Sequence, residues 1–233
     1  MNKLHLVTKA KDMFEGNKDY SFVNPYSLAM LIKTGRDYSS IRFGVDGGLL
    51  AKVLSVLLGV KINRISFDYT SIAKEVFEKA QRMGLRVALI GSEQGELDLF
   101  IAKIREEYPR LNIFYAHSGY FNESDLLGMT QEVVKGDLLI CSMGAVRQED
   151  FILSMRRCGF KGVSYTCGGF FRQYASAENA IYYPGWVNDL NLRAFYRMFK
   201  EPHTIKRYFF SYPISILNLI LLRLIRKLHV VVN

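Results

Sequence analysis

A chain of 233 residues with 49% hydrophobic and 23% charged residues can bury a sizeable core, which excludes a disordered protein, and is short for two full domains. Its 31 Lys and Arg against 22 Asp and Glu give a formal net charge of +9, and the excess is lopsided: from Arg193 onward eight basic residues face one acid, Glu201, for +7 of the total. The near-neutral remainder carries no basic stripe interleaved with aromatics, which argues against a nucleic-acid partner.

In chain order, Met1 to Lys11 is interrupted by Lys3, Lys9 and Lys11 and lacks the apolar stretch of a signal peptide, so a cytoplasmic protein is expected. Strands are expected at Ser21–Val23, Ile41–Val45, Arg86–Ile90, Asn112–Tyr115, Asp137–Cys141 and Gly162–Tyr165, and amphipathic helices at Thr70–Met83, Glu96–Glu107 and Ser124–Val134. Asn24 before Pro25, Asp68, and Asn122 before Glu123 have the chemistry of helix starts. Strands separated by helices of this length predict an α/β fold, a Rossmann-like parallel sheet with helices on both faces, over residues 1–192. Cys141, Cys158 and Cys167 show no CxxC spacing, and His5, His117, His203 and His229 no metal-ligand spacing. A reducing compartment without a zinc site is expected.

Residues 193–233 read as a basic, amphipathic, helical appendage. The stretch Tyr208 to Leu222 is uncharged, rich in Phe, Ile and Leu, interrupted by Pro213, and shorter than the roughly 20 apolar residues a bilayer span needs. Flanked by cations, it is suited to lie on an anionic membrane surface. A terminal helix packed on the core with a solvated basic face is the alternative.

Ligands of parallel α/β sheets bind beyond the carboxyl ends of the strands. Five such ends hold glycine or polar residues. Phe43 to Gly48 ends an apolar strand in Asp46, which suits either a turn and helix cap or a general base. Gly91-Ser92-Glu93 runs into a helix whose free N–H groups can receive a phosphate, although no full GxGxxG or P-loop is present. Ser118 to Phe121 is weaker. Gln148 and Glu149 open the helix after Ser142-Met143-Gly144, and the paired Gly168 and Gly169 allow backbone to approach a ligand closely. Their occurrence at successive strand ends favours one composite site.

The order of these pieces resembles the WecG/TagA/CpsF family of bacterial glycosyltransferases from about Tyr20 to Tyr208. The residues that carry the resemblance are Asn24-Pro25, Val45-Asp46-Gly47, Arg64 with Phe67-Asp68, Gly119-Tyr120-Phe121, Gly144 with Gln148-Glu149, Gly168-Gly169, Tyr196-Arg197-Met198, Glu201-Pro202 and Lys206-Arg207-Tyr208. The resemblance implies an inverting, metal-independent transferase, without a cofactor, that moves a sugar of the N-acetylmannosamine, uronic acid or glucose class. The donor would be a UDP-sugar and the acceptor a polyprenyl-diphosphate-linked glycan, in surface polysaccharide or teichoic-acid-type synthesis at the inner face of the cell membrane. It implies Asp46 as general base and Asn24, Arg64, Tyr120, Gln148, Gly168 and Gly169 as pocket residues. Arg197 and Arg207 would neutralise diphosphate from the appendage. With no metal constellation in the sequence, arginine would have to receive the leaving charge of UDP. Homo-oligomerisation stays open.

The chain departs from the family pattern at Phe22 (usually Thr), Leu49 (Gly), Val146 (Pro), Arg172 (Asp) and Thr204 (Arg). Loss of a hydroxyl at Phe22 argues against N-acetylmannosamine, and Arg172 is suited to a carboxylate or phosphate. A degenerate member that binds a lipid-linked glycan or partner without turnover is the alternative reading. An unrelated nucleotide-binding oxidoreductase is disfavoured by the missing dinucleotide fingerprint.

Overall fold

The computed structural model describes residues 3–14, 16–177, 196, 198–199, 205–224 and 229–232. Within these, a single parallel sheet is built from β1 (Lys3–Leu6), β2 (Asp19–Val23), β3 (Ile41–Val45), β4 (Val87–Gly91), β5 (Ile113–His117), β6 (Leu138–Ser142), β7 (Val163–Thr166) and β8 (His229–Val232). Their spatial order is β5-β4-β6-β7-β2-β3-β1-β8. The helices are α1 (Pro25–Lys33), α2 (Gly48–Leu58), α3 (Ala73–Met83), α4 (Gln94–Glu107), α5 (Glu123–Val133), α6 (Arg147–Arg157), α7 (Phe170–Ser176) and α8 (Tyr212–Leu224). The expected α/β class and the expected strands of the body are present.

The period of two along the central strands feeds two cores. Ala88 and Ile90 of β4 and Leu139 and Cys141 of β6 face a core completed by α1, α2, α5, α6 and α8. Val87, Leu89, Leu138 and Ile140 face the opposite one, filled by α3, α4 and α7, where Phe100 stacks on Phe171 at 4.2 Å between ring centroids.

Boundaries differ from expectation in instructive ways. β4 to β7 each begin one residue later than predicted, and for β4 and β6 the cause is visible. The Arg86 N–H and guanidinium both donate to the Asp137 carboxylate, so these two residues staple the strand starts together and leave the ladder to their successors. Asn24 caps α1 as expected, with its side chain accepting from the Ser27 N–H at 3.0 Å, and Asn122 is the N-cap of α5. Asp68 does not cap α3, whose N-cap is Ile72. Its carboxylate is taken by Arg64, Ser66 and Thr70 instead.

β1 and β8 were not foreseen. β8 pairs in parallel with β1 from Lys3–His229 to Leu6–Val232, so the last described residues of the appendage extend the sheet. Pro213 does not break the apolar stretch. It sits at the second residue of α8, directly after a π-helical segment (Arg207–Ser211) that runs into the helix without a break. α8 packs on α1 and buries Leu219 in the first core. Ile214, Leu217, Leu221 and Leu224, spaced for one helical face, are exposed, as are Phe209 and Phe210. Among the described residues no helix is long and apolar enough to cross a membrane.

Candidate active site

A cleft of about 460 Å³ opens above the carboxyl ends of the strands. The crossover from β3 to β4 passes over the positions of β2, β7 and β6, and such a reversal leaves a crevice for ligand at the strand ends. Five strands and the loop after β5 contribute: Asn24 after β2, Asp46 after β3, Ser92 after β4, Tyr120 after β5, Ser142 and Gly144 at the end of β6, and Gly168 and Gly169 after β7.

Asp46 directly follows β3, where its N–H donates to the Val23 carbonyl at 2.8 Å, so the sheet ladder fixes its position. Arg64 is aligned with the same strand end: it forms a parallel bridge with Val45, and the Ile65 N–H donates to the Val45 carbonyl at 2.9 Å. One guanidinium nitrogen, Nη2, therefore lies 3.4 Å from Asp46 Oδ1 and 2.5 Å from Asp68 Oδ2. Burial pushes the Asp68 carboxyl upward, but Arg64 together with the Thr70 and Ser66 hydroxyls outweighs it and holds the pKa below the usual value. Asp68 is thus the closer partner of Arg64, and the Asp46 side chain stays 35% exposed to the cleft.

The opposite wall is a hydrogen-bonded network. Glu149, 1% exposed, accepts from Ser21 Oγ at 2.7 Å, Gln148 Nε2 at 2.9 Å and the Val146 N–H at 2.7 Å. Thr166 Oγ1 donates to Ser21 Oγ at 2.8 Å. Gln148 Oε1 accepts the Gly168 N–H at 3.1 Å, while Ser142 Oγ donates to the Gly168 carbonyl at 2.7 Å. The Gly168 turn is held from both sides. Burial raises the Glu149 pKa against the pull of its donors.

Of the residues foreseen for the site, Asp46, Asn24, Tyr120, Gln148, Gly168 and Gly169 line the cleft. Arg64 reaches it through Asp46. Glu149 does not line it: it lies beneath the surface and orients Gln148, because α6 turns it toward Ser21 of β2. Gly91 lies behind the wall, where a Cβ would meet the Ser142 carbonyl oxygen at 2.4 Å, so its place there is close strand packing and Ser92 faces the ligand space instead. Glu93, expected to open a phosphate-binding helix end, is the N-cap of α4. Arg197 lies outside the described residues, as does the side chain of Arg207. Arg147 was missed. It lines the cleft, donates through Nη2 to the Gly119 carbonyl at 2.8 Å and lies 5.9 Å from the centroid of the Tyr120 ring, which is 71% exposed. Gln148 and Glu149 belong to the same first turn of α6 and are expected at the site, whereas Arg147 is not. Arg172 also lines the cleft. Among the described residues no group of three or more His, Cys, Asp or Glu is arranged to hold a metal ion.

The sequence matches the profile of the Glycosyl transferase WecG/TagA/CpsF family over residues 13–229. The chain belongs to this family. It is 36% identical over 202 residues, covering 86% of this chain and 84% of the relative, to the UDP-Gal:alpha-D-GlcNAc-diphosphoundecaprenol beta-1,4-galactosyltransferase of Shigella boydii. It is 29% identical over 191 residues, 80% of this chain and 73% of the relative, to the N-acetylglucosaminyldiphosphoundecaprenol N-acetyl-beta-D-mannosaminyltransferase of Bacillus subtilis (strain 168). A WecG/TagA/CpsF protein is a glycosyltransferase, and the cleft is read as its active site.

The departures from the family pattern now have surroundings. The Phe22 ring packs edge-to-face on Phe67 at 6.2 Å and lines the cleft. Gly44, its register partner on β3, leaves the space: a Cβ there would come within 2.8 Å of the ring. Leu49 points away, exposed on α2. Val146 takes φ +73, which a proline ring fixed near −65° does not reach. Strain of this kind costs on the order of 1–3 kcal/mol, and the bond from its N–H to Glu149, which proline lacks, offsets part of it. Thr204 lies outside the described residues.

Proposed function

We propose that this glycosyltransferase moves a hexose from a UDP-sugar, with inversion, onto the sugar of a GlcNAc-diphosphate carried by a polyprenol. The observation that carries the reading is Asp46, fixed at the end of β3 with its carboxylate open to the cleft beside Arg64. In the step, Asp46 takes the proton of the acceptor hydroxyl as that oxygen bonds to the anomeric carbon from the face opposite the leaving group. The bond from that carbon to the β-phosphate oxygen breaks, and its electron pair leaves with UDP. Arg147 and Arg172 on the cleft wall supply positive charge for the diphosphate, as guanidinium geometry suits. Arg197 and Arg207 are assigned the same task by the family resemblance alone.

A hexose is favoured over an N-acetylated donor because the Phe22 ring occupies the cleft where the family usually has a small hydroxyl residue. The 36% identical relative is named as a galactosyltransferase that uses UDP-Gal on GlcNAc-diphosphoundecaprenol. A panel of UDP-Gal, UDP-Glc, UDP-GlcNAc and UDP-ManNAc incubated with GlcNAc-diphosphate-polyprenol, read by mass spectrometry with the anomer assigned by NMR, tests it. Transfer of galactose or glucose as the β-anomer is expected. Transfer from N-acetylated donors alone would overturn the hexose assignment, and an α-product would overturn inversion.

The same acceptor requires the enzyme to work at a membrane surface, on the cytoplasmic side where UDP-sugars are made. The exposed stripe Ile214, Leu217, Leu221 and Leu224 with Phe209 and Phe210 supports peripheral docking through α8. Changing Ile214, Leu217 and Leu224 together to Ser should lower sedimentation with anionic vesicles at least tenfold, whereas Arg223→Glu with Arg226→Glu should weaken it less and reduce its salt dependence. Undiminished pelleting of the triple variant would move the contact elsewhere.

A further inference from the structure

A second cavity, of about 360 Å³, runs between α1 and α8, within the roughly 300–1,000 Å³ of small-molecule pockets. Its walls are apolar: Leu28, Ala29 and Ile32 of α1, Leu50 of α2, and Leu219 and Leu222 of α8. One end is Pro25, the residue after Asn24, and Asn24 lines the active-site cleft. On its α8 wall lies Leu221, which is 49% exposed and belongs to the apolar stripe read above as membrane-facing. The groove therefore starts one residue from the cleft lining, on another face of α1, and reaches that stripe on its other side.

We infer that this groove holds the first isoprene units of the acceptor lipid, an inference that rests on the polyprenyl-diphosphate reading of the cleft. The acceptor joins a polar headgroup, which must lie at Asp46, to a hydrocarbon chain whose remainder lies in a bilayer. A chain leaving the cleft through water would expose apolar surface at about 25 cal/mol per Å². The nine residues of α1 span about 13 Å at 1.5 Å per residue, and the groove follows them from the cleft edge. Among the described residues that line it, Lys33 at its far end carries the only charge, and Ser215 and Asn218 the only uncharged polar side chains. The appendage helix thus supplies a wall of the acceptor site as well as a membrane contact.

The test uses the full chain without membrane or micelles. Two acceptors are compared, each below its critical micelle concentration: GlcNAc-diphosphate bearing a three-isoprene chain, and GlcNAc-diphosphate methyl ester. Wild-type enzyme should show at least a tenfold higher kcat/KM for the isoprenoid. Ala29→Trp, which fills the groove from α1, should bring that ratio near one while leaving the methyl acceptor's kcat/KM unchanged. Ser215→Trp does the same from the α8 wall should the first variant fail to fold. As a measurement that needs no substitution, an isoprenoid acceptor with a diazirine on its second unit should label residues 25–33 and 215–222. Equal kcat/KM for the two acceptors in the wild type, an unchanged ratio in the folded variants, or labelling confined to other segments would overturn the groove. Labelling lost as protein concentration rises would also overturn it, marking the surface as covered by a second copy. Absence of turnover with both acceptors would sink the functional reading instead, while the labelling pattern would still decide the groove.

Discussion

The two walls of the cleft handle their carboxylates in opposite ways. On the β3 side, Asp46 and Asp68 share one guanidinium nitrogen of Arg64 and remain partly open to solvent. On the β6–β7 side, Glu149 is sealed under the surface among Ser21, Gln148 and the Val146 N–H. The pKa directions follow: Asp68 lies below its ordinary value despite burial, because a cation and two hydroxyls favour the charged form, whereas burial carries Glu149 above its own. One wall sets two carboxylates around a guanidinium, the other holds the Gly168 turn in place.

The sharpest break of that comparison is at Asp46. Asp46→Asn keeps the shape and removes the proton acceptor, so single-turnover transfer should fall about 10²- to 10⁴-fold with an unchanged melting curve. Activity within twofold of wild type would take Asp46 out of the chemistry. Arg64→Lys comes next: one ammonium reproduces the charge without the fork geometry, and kcat/KM should drop on the order of tenfold. Unchanged kinetics would show that Asp46 needs no guanidinium beside it.

Glu149→Gln should act on stability more than on chemistry, costing about 1–3 kcal/mol because one donor of the network loses its acceptor. Its pH dependence carries the sign. A carboxyl whose folded pKa is raised contributes stability that is full below its unfolded value and fades as pH rises through the folded one, so the gap between wild type and Glu149→Gln should narrow from pH 4 toward pH 8. Asp68→Asn should do the reverse. A lowered folded pKa contributes stability present above the unfolded value and lost as pH falls, so that gap should close toward pH 3. Urea midpoints across pH 3–8 for both variants test the pair, and gaps that move in the same direction would erase the contrast between the walls. The smallest effect is expected at Val146→Gly, which relieves the positive φ but loosens the unfolded chain, leaving stability within about 1 kcal/mol of wild type.

Most strands were legible because a parallel strand buried on both faces reads as a short unbroken apolar run closed by glycine or a small polar residue, as Ala88 to Gly91 and Leu138 to Ser142 do. The candidate cleft was legible to the same extent, since its lining residues cluster at those ends. What was hidden lay in side-chain direction. Gln148 and Glu149 are adjacent in sequence, yet one faces the cleft and the other the core beneath it, and α6 alone decides which. Arg147 gave no signal because a first-turn arginine is ordinary until Gly119 and Tyr120 of another loop come within reach.

By itself the sequence determined the α/β alternation, the parallel sheet, the caps Asn24 and Asn122 and the carboxylate at the end of β3, all of which follow from local periodicity and turn chemistry. Only the tertiary structure decided that β8 pairs with β1 across more than two hundred residues, that Asp68 binds Arg64 instead of capping α3, and that α8 leans on α1 to enclose a groove. The physical reason is range. Helix starts and strand runs are set by neighbours a few residues away, whereas edge pairing, shared guanidinium contacts and grooves depend on which distant surfaces the folded sheet brings together.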